Sequence, residues 1–363
     1  MSPERLISER LRFRGNLAVI ATAVSFMVII VSFSISSGFR EEIRSSLSAL
    51  YGDITVESPS LLPVLDSTDG ITSVRPFILK EGIVKSGLHI QGVSFKGYEC
   101  SDSLPLQVEI PAGFAKKMNL AAGDMMTAYF VGEKVQARNF TVKGVYDDLW
   151  GDEKAVTLKA SAKDLRRLTG LAEDEYSGLE LTLDNSLRDR AGQKWKAREI
   201  SYLSGCRATS LADRFPQIFD WLDLIDMNVK AILLIMVLVA GFNMISGLLI
   251  YLFRNTSTIG TLKALGMTDR SIRGVFLRVA ARVVAKGMLA GNALALLFCV
   301  IQDRTHLLKL NPANYFLSFV PVDVSPGNLI CIDAIAFAAI IAMITLPLMF
   351  IYKVDPARTV RSL

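Results

Sequence analysis

Four apolar segments, at residues 17–36, 231–253, 283–301 and 329–351, meet the length of about 20 residues that a helix needs to cross a bilayer. Lipid offers no hydrogen bonds to a bare backbone, so such stretches fold as helices. Their spacing is uneven. Residues 37–230 separate the first two and have ordinary soluble composition, whereas short connections join the last three. With 51% hydrophobic residues, a wholly soluble chain is excluded. The expected fold class is an α-helical membrane bundle of four transmembrane helices plus an α+β outer domain inserted between helices 1 and 2. The expected domains are residues 1–37 (N-terminus and helix 1), 38–226 (outer α+β domain with helical stalks) and 227–363 (a three-span domain).

The first apolar run exceeds the roughly 7–15 residues of a secretory signal and is expected to be an uncleaved anchor, although Ser34-Ile-Ser36-Ser37-Gly38 mimics a cleavage site. Charge in the short loops sets the orientation. Arg5, Arg10, Arg12 and Arg14 precede the first span. Arg254, Lys263, Arg270, Arg273, Arg278 and Arg282 crowd the 254–282 loop, and Lys353, Arg358 and Arg361 follow the last span. The positive-inside rule then puts both termini and that loop in the cytoplasm, with the large domain outside. These flanks account for the net charge of +5 and leave no call for a nucleic-acid partner. Of the four cysteines, Cys299 and Cys331 fall in spans; Cys100 and Cys206 fall in the outer domain, where a disulfide is allowed but not required.

Helical spacing continues past both ends of the outer domain. Phe39, Ile43, Leu47 and Leu50 extend the first span, with Arg40, Glu41, Glu42 and Arg44 between them. Phe215, Ile218, Phe219, Leu222 and Ile225 lead into the second. These are either mechanical stalks or amphipathic helices that close the domain. Between them, alternation predicts strands at 53–57, 82–85, 89–93, 139–145, 155–158 and 179–183, and helices at 112–120 and 161–169, the latter opening at a Ser161 cap.

Nothing in the chain assembles into an active site. No Gly-x-x-x-x-Gly-Lys-Ser/Thr loop is present, so no ATP hydrolysis is expected of this chain. His89 and His306 lack metal-like companions, and no metal site is expected. Gly123-Asp124 and Asp147-Asp148 read as turns. Lys286 lies near a span edge from which it can snorkel, and Asp333 is expected to reach the interface in the same way. Gly287-x-x-x-Gly291 permits close helix approach, within one chain or between two. Pro347 is expected to bend the fourth span or mark its end.

The most distinctive stretch is the cytoplasmic segment 256–272. A short helix over 257–266, with Ile259, Leu262 and Leu265 on one side, ends at Gly266, and a second begins at Thr268 or Asp269 as cap. A short rigid helix between two spans suits docking on a partner's groove. Gly260-Thr-Leu-Lys-Ala-Leu-Gly-Met-Thr-Asp-Arg-Ser-Ile272, followed by Phe276-Leu277, resembles the coupling-helix signature of FtsX-like permeases, the membrane subunits of MacB- and Lol-type ABC transporters. Other blocks are similar to the lipoprotein-releasing branch. They are Phe215–Leu222 with Val239–Leu248, Leu310-Asn-Pro-Ala-Asn-Tyr315 with Val320-Pro-Val322, and Pro347 with Asp355-Pro-Ala-Arg358. In the outer domain, Gly52-Asp-Ile, Gly97-Tyr, Leu120-Ala-Ala-Gly-Asp124 and Phe140–Val145 follow in the expected order.

The resemblance implies a non-enzymatic permease of the bacterial inner membrane with a periplasmic outer domain. It works in two copies, a homodimer or a pair with a paralogue. A separate cytoplasmic ABC ATPase dimer binds ATP and Mg, and this chain binds no cofactor. Thr258, Ile259, Gly260, Thr261, Leu262, Lys263, Ala264, Leu265 and Gly266 are the implied ATPase-coupling residues. The implied substrate is an acylated lipoprotein, handed to a periplasmic carrier. Phe26, Phe33, Met236 and Phe242 are candidates to line its acyl-chain cavity, or else are ordinary core and lipid-facing residues. Two features depart from the family pattern. Thr258 stands where an acidic residue is common, and the outer domain shows no assignable carrier-binding insertion. Alternatives of another class are a regulatory permease that controls a periplasmic cell-wall hydrolase and a MacB-like efflux permease for peptides or drugs.

Overall fold

The structure, a computed structural model, describes residues 16–57, 69–87, 89–99, 105–131, 135–146, 156–172, 175–311, 315 and 317–348. Cys100, Asp147-Asp148, the N-terminal arginines, Pro312-Ala-Asn314 and the 355–358 ending lie outside these residues. The described parts of Met1–Glu41, Leu222–Lys309 and Phe319–Leu363 form one compact unit, and those of Glu42–Trp221 and Leu310–Ser318 form another.

The second unit is β-rich. In chain order it holds the end of helix α1 (Asn16–Tyr51), then β1 (Ile54–Val56), β2 (Ile71–Ser86), β3 (His89–Tyr98) and β4 (Gln107–Pro111). Helix α2 (Ala112–Met118), β5 (Met125–Phe130), β6 (Gln136–Tyr146), β7 (Val156–Ser161), α3 (Ala162–Thr169) and β8 (Gly178–Leu183) follow. After these come α4 (Arg190–Ser204), β9 (Ala208–Ser210) and the short α5 (Leu211–Arg214). Strands run β3-β7-β4-β6-β5-β2, and β2 pairs back onto β3, which closes a six-stranded barrel. Closure leaves no free edge there. Phe95, Phe130 and Phe140 meet at its centre with ring centroids 5.0–6.2 Å apart, among Ile78, Val108, Ile110 and Leu158.

Strand β2 is far longer than the alternation at 82–85 predicts. Its first half leaves the barrel and pairs with β8, which continues through β1 to β9 as an antiparallel sheet. Pro76 belongs to this half, where β2 has no barrel partner and a missing N–H is tolerated. Helix α4 covers the sheet by packing Ala197 and Ile200 on Ile54, Leu179 and Leu181. Its N-cap Asp189 accepts from Gly192 N–H at 2.9 Å. At α3, Ser161 takes the extended N-cap conformation as expected but makes no side-chain capping bond. Cys206 is a free, half-buried thiol.

In the first unit, α1, α6 (Pro216–Arg254), α8 (Asp269–Thr305) and α9 (Pro326–Leu348) are each long and apolar enough to cross a membrane. Helix α7 (Thr256–Ala264) lies between α6 and α8. Helices α1 and α6 extend their apolar spans without a break, as their continued periodicity predicts. Phe39, Ile43 and Leu47 on one helix and Ile218, Phe219 and Leu222 on the other are buried. Phe26, Ile29, Met244, Phe276 and Ile340 belong to the bundle core. A Cβ on Gly287 would lie 2.7 Å from Thr22 Cβ, and one on Gly291 only 2.4 Å from the Ala23 carbonyl. The Gly-x-x-x-Gly motif therefore serves close packing of α8 on α1 within one chain. Asn292 Nδ2 donates to Asp333 Oδ2 across α8 and α9, a partner that the sequence reading does not anticipate. A neighbouring amide is a cheaper partner than a long reach to water. Pro347 sits inside the last described turn of α9.

Candidate functional site

Helix α6 ends where Asn255 turns its side-chain amide back onto the Tyr251 carbonyl at 2.8 Å. Helix α7 then starts at once, with Ile259 N–H bonded to Asn255 O at 3.0 Å. Ile259 is buried in the bundle core beside Leu252, Ile272 and Phe276, and Leu262 and Met267 pack on that core. Two backbone bonds close the helix end, from Gly266 N–H to Lys263 O (2.9 Å) and from Met267 N–H to Leu262 O (3.0 Å). This is a Schellman termination, and it needs the left-handed φ of +87° at Gly266. Lys263 spans the turn to Asp269 at 2.9 Å. Of the two cap candidates, Thr268 and Asp269, Thr268 caps α8 by accepting from Ser271 N–H.

The expected stripe of Ile259, Leu262 and Leu265 does not stay on one face. At 3.6 residues per turn each three-residue step falls short of a full turn, so two steps carry Leu265 about 120° away from Ile259. Ile259 and Gly260 are buried, Leu262 and Lys263 half-buried, and Leu265 is 78% exposed. The outward face is therefore Ser257, Thr258, Thr261, Ala264 and Leu265, small and uncharged except at its rim. Such a face offers shape and one apolar contact. It has no group for chemistry.

The four cavity candidates do not share one environment. Phe26 is fully buried in the bundle core, Phe33 and Met236 are half-buried, and Phe242 is 61% exposed.

Two polar clusters escape the sequence reading. In the helical unit, Arg40 of α1 pairs with Asp226 and with Asp223 (3.4 Å) on α6, and Ser36 donates to Asp226 at 2.7 Å. The signal was present in the three-residue spacing of Asp223 and Asp226, which makes them neighbours on the surface of one helix. In the β-rich unit, the last turn of α1 meets a buried ionic group. Lys96 pairs with Glu180 and donates to Leu50 O at 3.3 Å. Arg75 donates to Glu180 at 2.7 Å and to Ala49 O at 3.1 Å. Cations thus sit on the carbonyl end of the helix, where its dipole favours them. Burial pulls the Lys96 ammonium down to a pKa of about 8, against the opposing pull of Glu180.

Residues 230–356 match the family of FtsX-like permease C-terminal domains. They form an FtsX-like permease domain. Four helices long enough to cross a membrane and a C-terminal match to this family agree in a multi-pass membrane protein. The lipoprotein-releasing system transmembrane protein LolC of Neisseria meningitidis serogroup B is 23% identical over 395 residues, covering 95% of this chain and 91% of LolC. The periplasmic region of MacB from Actinobacillus actinomycetemcomitans is similar over 46% of this chain and 92% of its own, at 14% identity and a TM-score of 0.31. The extracellular domain of the noncanonic ABC-type transporter YknZ from Gram-positive bacteria is similar over 45% and 92%, at 14% identity and a TM-score of 0.28.

Proposed function

We propose that this permease extracts lipoproteins from the inner membrane for delivery to the outer membrane, powered by a separate cytoplasmic ATPase that binds ATP and Mg. The observation that carries this reading is the extent of the similarity to LolC, which takes in the outer domain as well as the spans. Three acyl chains leaving a bilayer cost about 0.8 kcal/mol per CH₂, so such a step needs a power source.

Coupling runs through α7. Its exposed face, with Leu265 at the tip, docks in a groove of the ATPase, and Ile259 with Leu262 ties the helix to the bundle. Only a contact that differs between nucleotide states can shift the permease's equilibrium. Helices α1 and α6 carry the movement outward into a periplasmic domain, with Arg40 and its two aspartates keeping the pair in step. Two copies, or this chain and a paralogue, enclose the acyl chains, with Phe33, Met236 and Phe242 as lining. The outer domain hands the substrate to a periplasmic carrier.

The test is to deplete the permease in a strain without a paralogue and fractionate the membranes. Mature lipoproteins should accumulate in the inner membrane, and the purified complex should release them in an ATP-dependent extraction assay. Normal sorting would sink the proposal. A co-purifying cell-wall hydrolase or outer-membrane channel would then point to the regulatory or the efflux permease.

A further inference from the structure

Asp333 is the one carboxylic acid in the four apolar segments of the sequence. It follows Pro326, the first residue of α9, by seven positions, and its one bond to a described residue is the one that Asn292 of α8 donates to Oδ2. That contact fixes its depth. Asn292 is the midpoint of the apolar segment 283–301. The adjoining Gly291 rests on Ala23, Phe26 and Met27 of α1, midway along the segment 17–36. The pair therefore lies level with the middle of two apolar segments.

Two oxygens of this contact are left over. Asp333 Oδ1 and Asn292 Oδ1 are both buried, and neither has a donor. Because both atoms are closed off from the surface, no water, lipid headgroup or ligand can bring one to them. The donor has to come from the pair itself, and of the two side chains only the carboxyl takes up a proton. Asp53 is the contrast. It is the other described aspartate with an unmet buried oxygen, but Arg188 lies 3.6 Å from its Oδ2 and balances its charge. No cation does so for Asp333. Lys286 on α8 and Lys230 on α6 are exposed and pair with no described residue, and α1 has no titratable side chain between residues 17 and 36. Cys331 on α9 is exposed, Cys299 lies seven residues further along α8, and Tyr251 of α6 packs on Phe276.

We infer that Asp333 is a proton-binding site inside the helical bundle, its Oδ1–H donating to Asn292 Oδ1 while Asn292 Nδ2 donates to its Oδ2. One proton then satisfies both leftover oxygens and turns a single bond into a closed acid–amide ring across α8 and α9. It also removes a charge that apolar surroundings oppose when no counter-ion is present. Loss of the proton sets two acceptors against each other. The seam between α8 and α9 is therefore tight with the proton on and weakened with it off. The inference rests on this contact alone and is independent of what the chain transports.

Infrared difference spectroscopy reads the proton directly, on the full chain in phosphatidylcholine nanodiscs at neutral pH. Asp333→Asn puts an amide of the same shape in place of the acid and keeps both bonds, so its unfolding midpoint should match that of the native chain. The native-minus-Asp333→Asn spectrum should contain the C=O stretch of a protonated carboxyl, shifted when D₂O replaces H₂O. Asn292→Ala removes the donor to Oδ2, so the same band should move to higher wavenumber. That shift is a signature that a protonated acid without this partner would not give. A difference spectrum that lacks the band, or that shows carboxylate stretches in its place, overturns the inference. So does a protonated band that Asn292→Ala leaves unmoved. Should Asp333→Asn fail to fold, the native-minus-Asn292→Ala spectrum carries the same decision, because a charged Asp333 would contribute carboxylate bands alone.

Discussion

Two helix ends in this chain are treated in opposite ways. Helix α7 finishes with the carbonyls of Thr261, Leu262 and Lys263 bonded within its own turn and with Leu265 left 78% exposed. Helix α1 finishes among buried charges, its last carbonyls held by Lys96 and Arg75 with Glu180 between them. The first arrangement keeps its shape without help and leaves a surface free for another molecule. The second holds its place only while its partners stay paired. An end built for docking is self-contained, and an end built for anchoring is not.

The contrast breaks most visibly at Glu180. Glu180→Ala leaves Lys96 as an uncompensated buried charge, and the outer domain should lose about 3–5 kcal/mol in denaturant unfolding of the full chain. A loss under 1 kcal/mol would mean that the cluster does not hold the helix end. At α7 the two leucines should separate stability from coupling. Leu262→Asp buries a charge against the bundle and should lower the unfolding midpoint together with ATPase binding. Leu265→Asp should leave stability within about 0.5 kcal/mol while weakening co-purification of the ATPase. Equal effects from both variants would falsify the assignment of an inward and an outward face. Gly266→Ala forces a Cβ into the left-handed region and should cost about 1–2 kcal/mol locally, seen as faster amide exchange at Met267.

The smallest effect is a pH dependence. Lys96 has a folded pKa of about 8, below its ordinary value of 10.5, so the unfolded state binds more protons between those values. Its contribution makes the fold more stable as pH rises from 8 toward 10, and this gain is lost as pH falls through 8. Tyr98 next to it titrates upward-shifted, through burial and the adjacent Glu180, so it opposes the trend only above its ordinary value of 10.0. Unfolding midpoints at pH 8.0 and 9.5 should differ more for the native chain than for Lys96→Met. An identical slope in both would remove Lys96 as the cause.

What the sequence made legible was local. The apolar runs, the Gly266 termination and the Thr268 cap each depend on residues within a few positions of one another. Leu265 was misplaced because three-residue spacing follows a helix face only briefly. Strand β2 was mostly hidden, since Pro76, Lys80 and Glu81 interrupt the alternation although their outward or edge positions permit them. The Lys96–Glu180 pair joins residues 84 positions apart and Arg75–Glu180 joins residues 105 apart, so neither has a local signature. The Asn292–Asp333 contact is hidden for the same reason, since it joins two different helices.

Strand β2 changes partners between Phe77 and Ile78, from β8 on one side to β3 on the other. Side chains alternate with a period of two, so one residue inserted there would turn the barrel's inner face outward relative to the sheet's. The strand works as a ruler shared by two structures and cannot be lengthened or shortened by single steps. The loops between strands can change length freely, but a single step at the Phe77–Ile78 handover cannot.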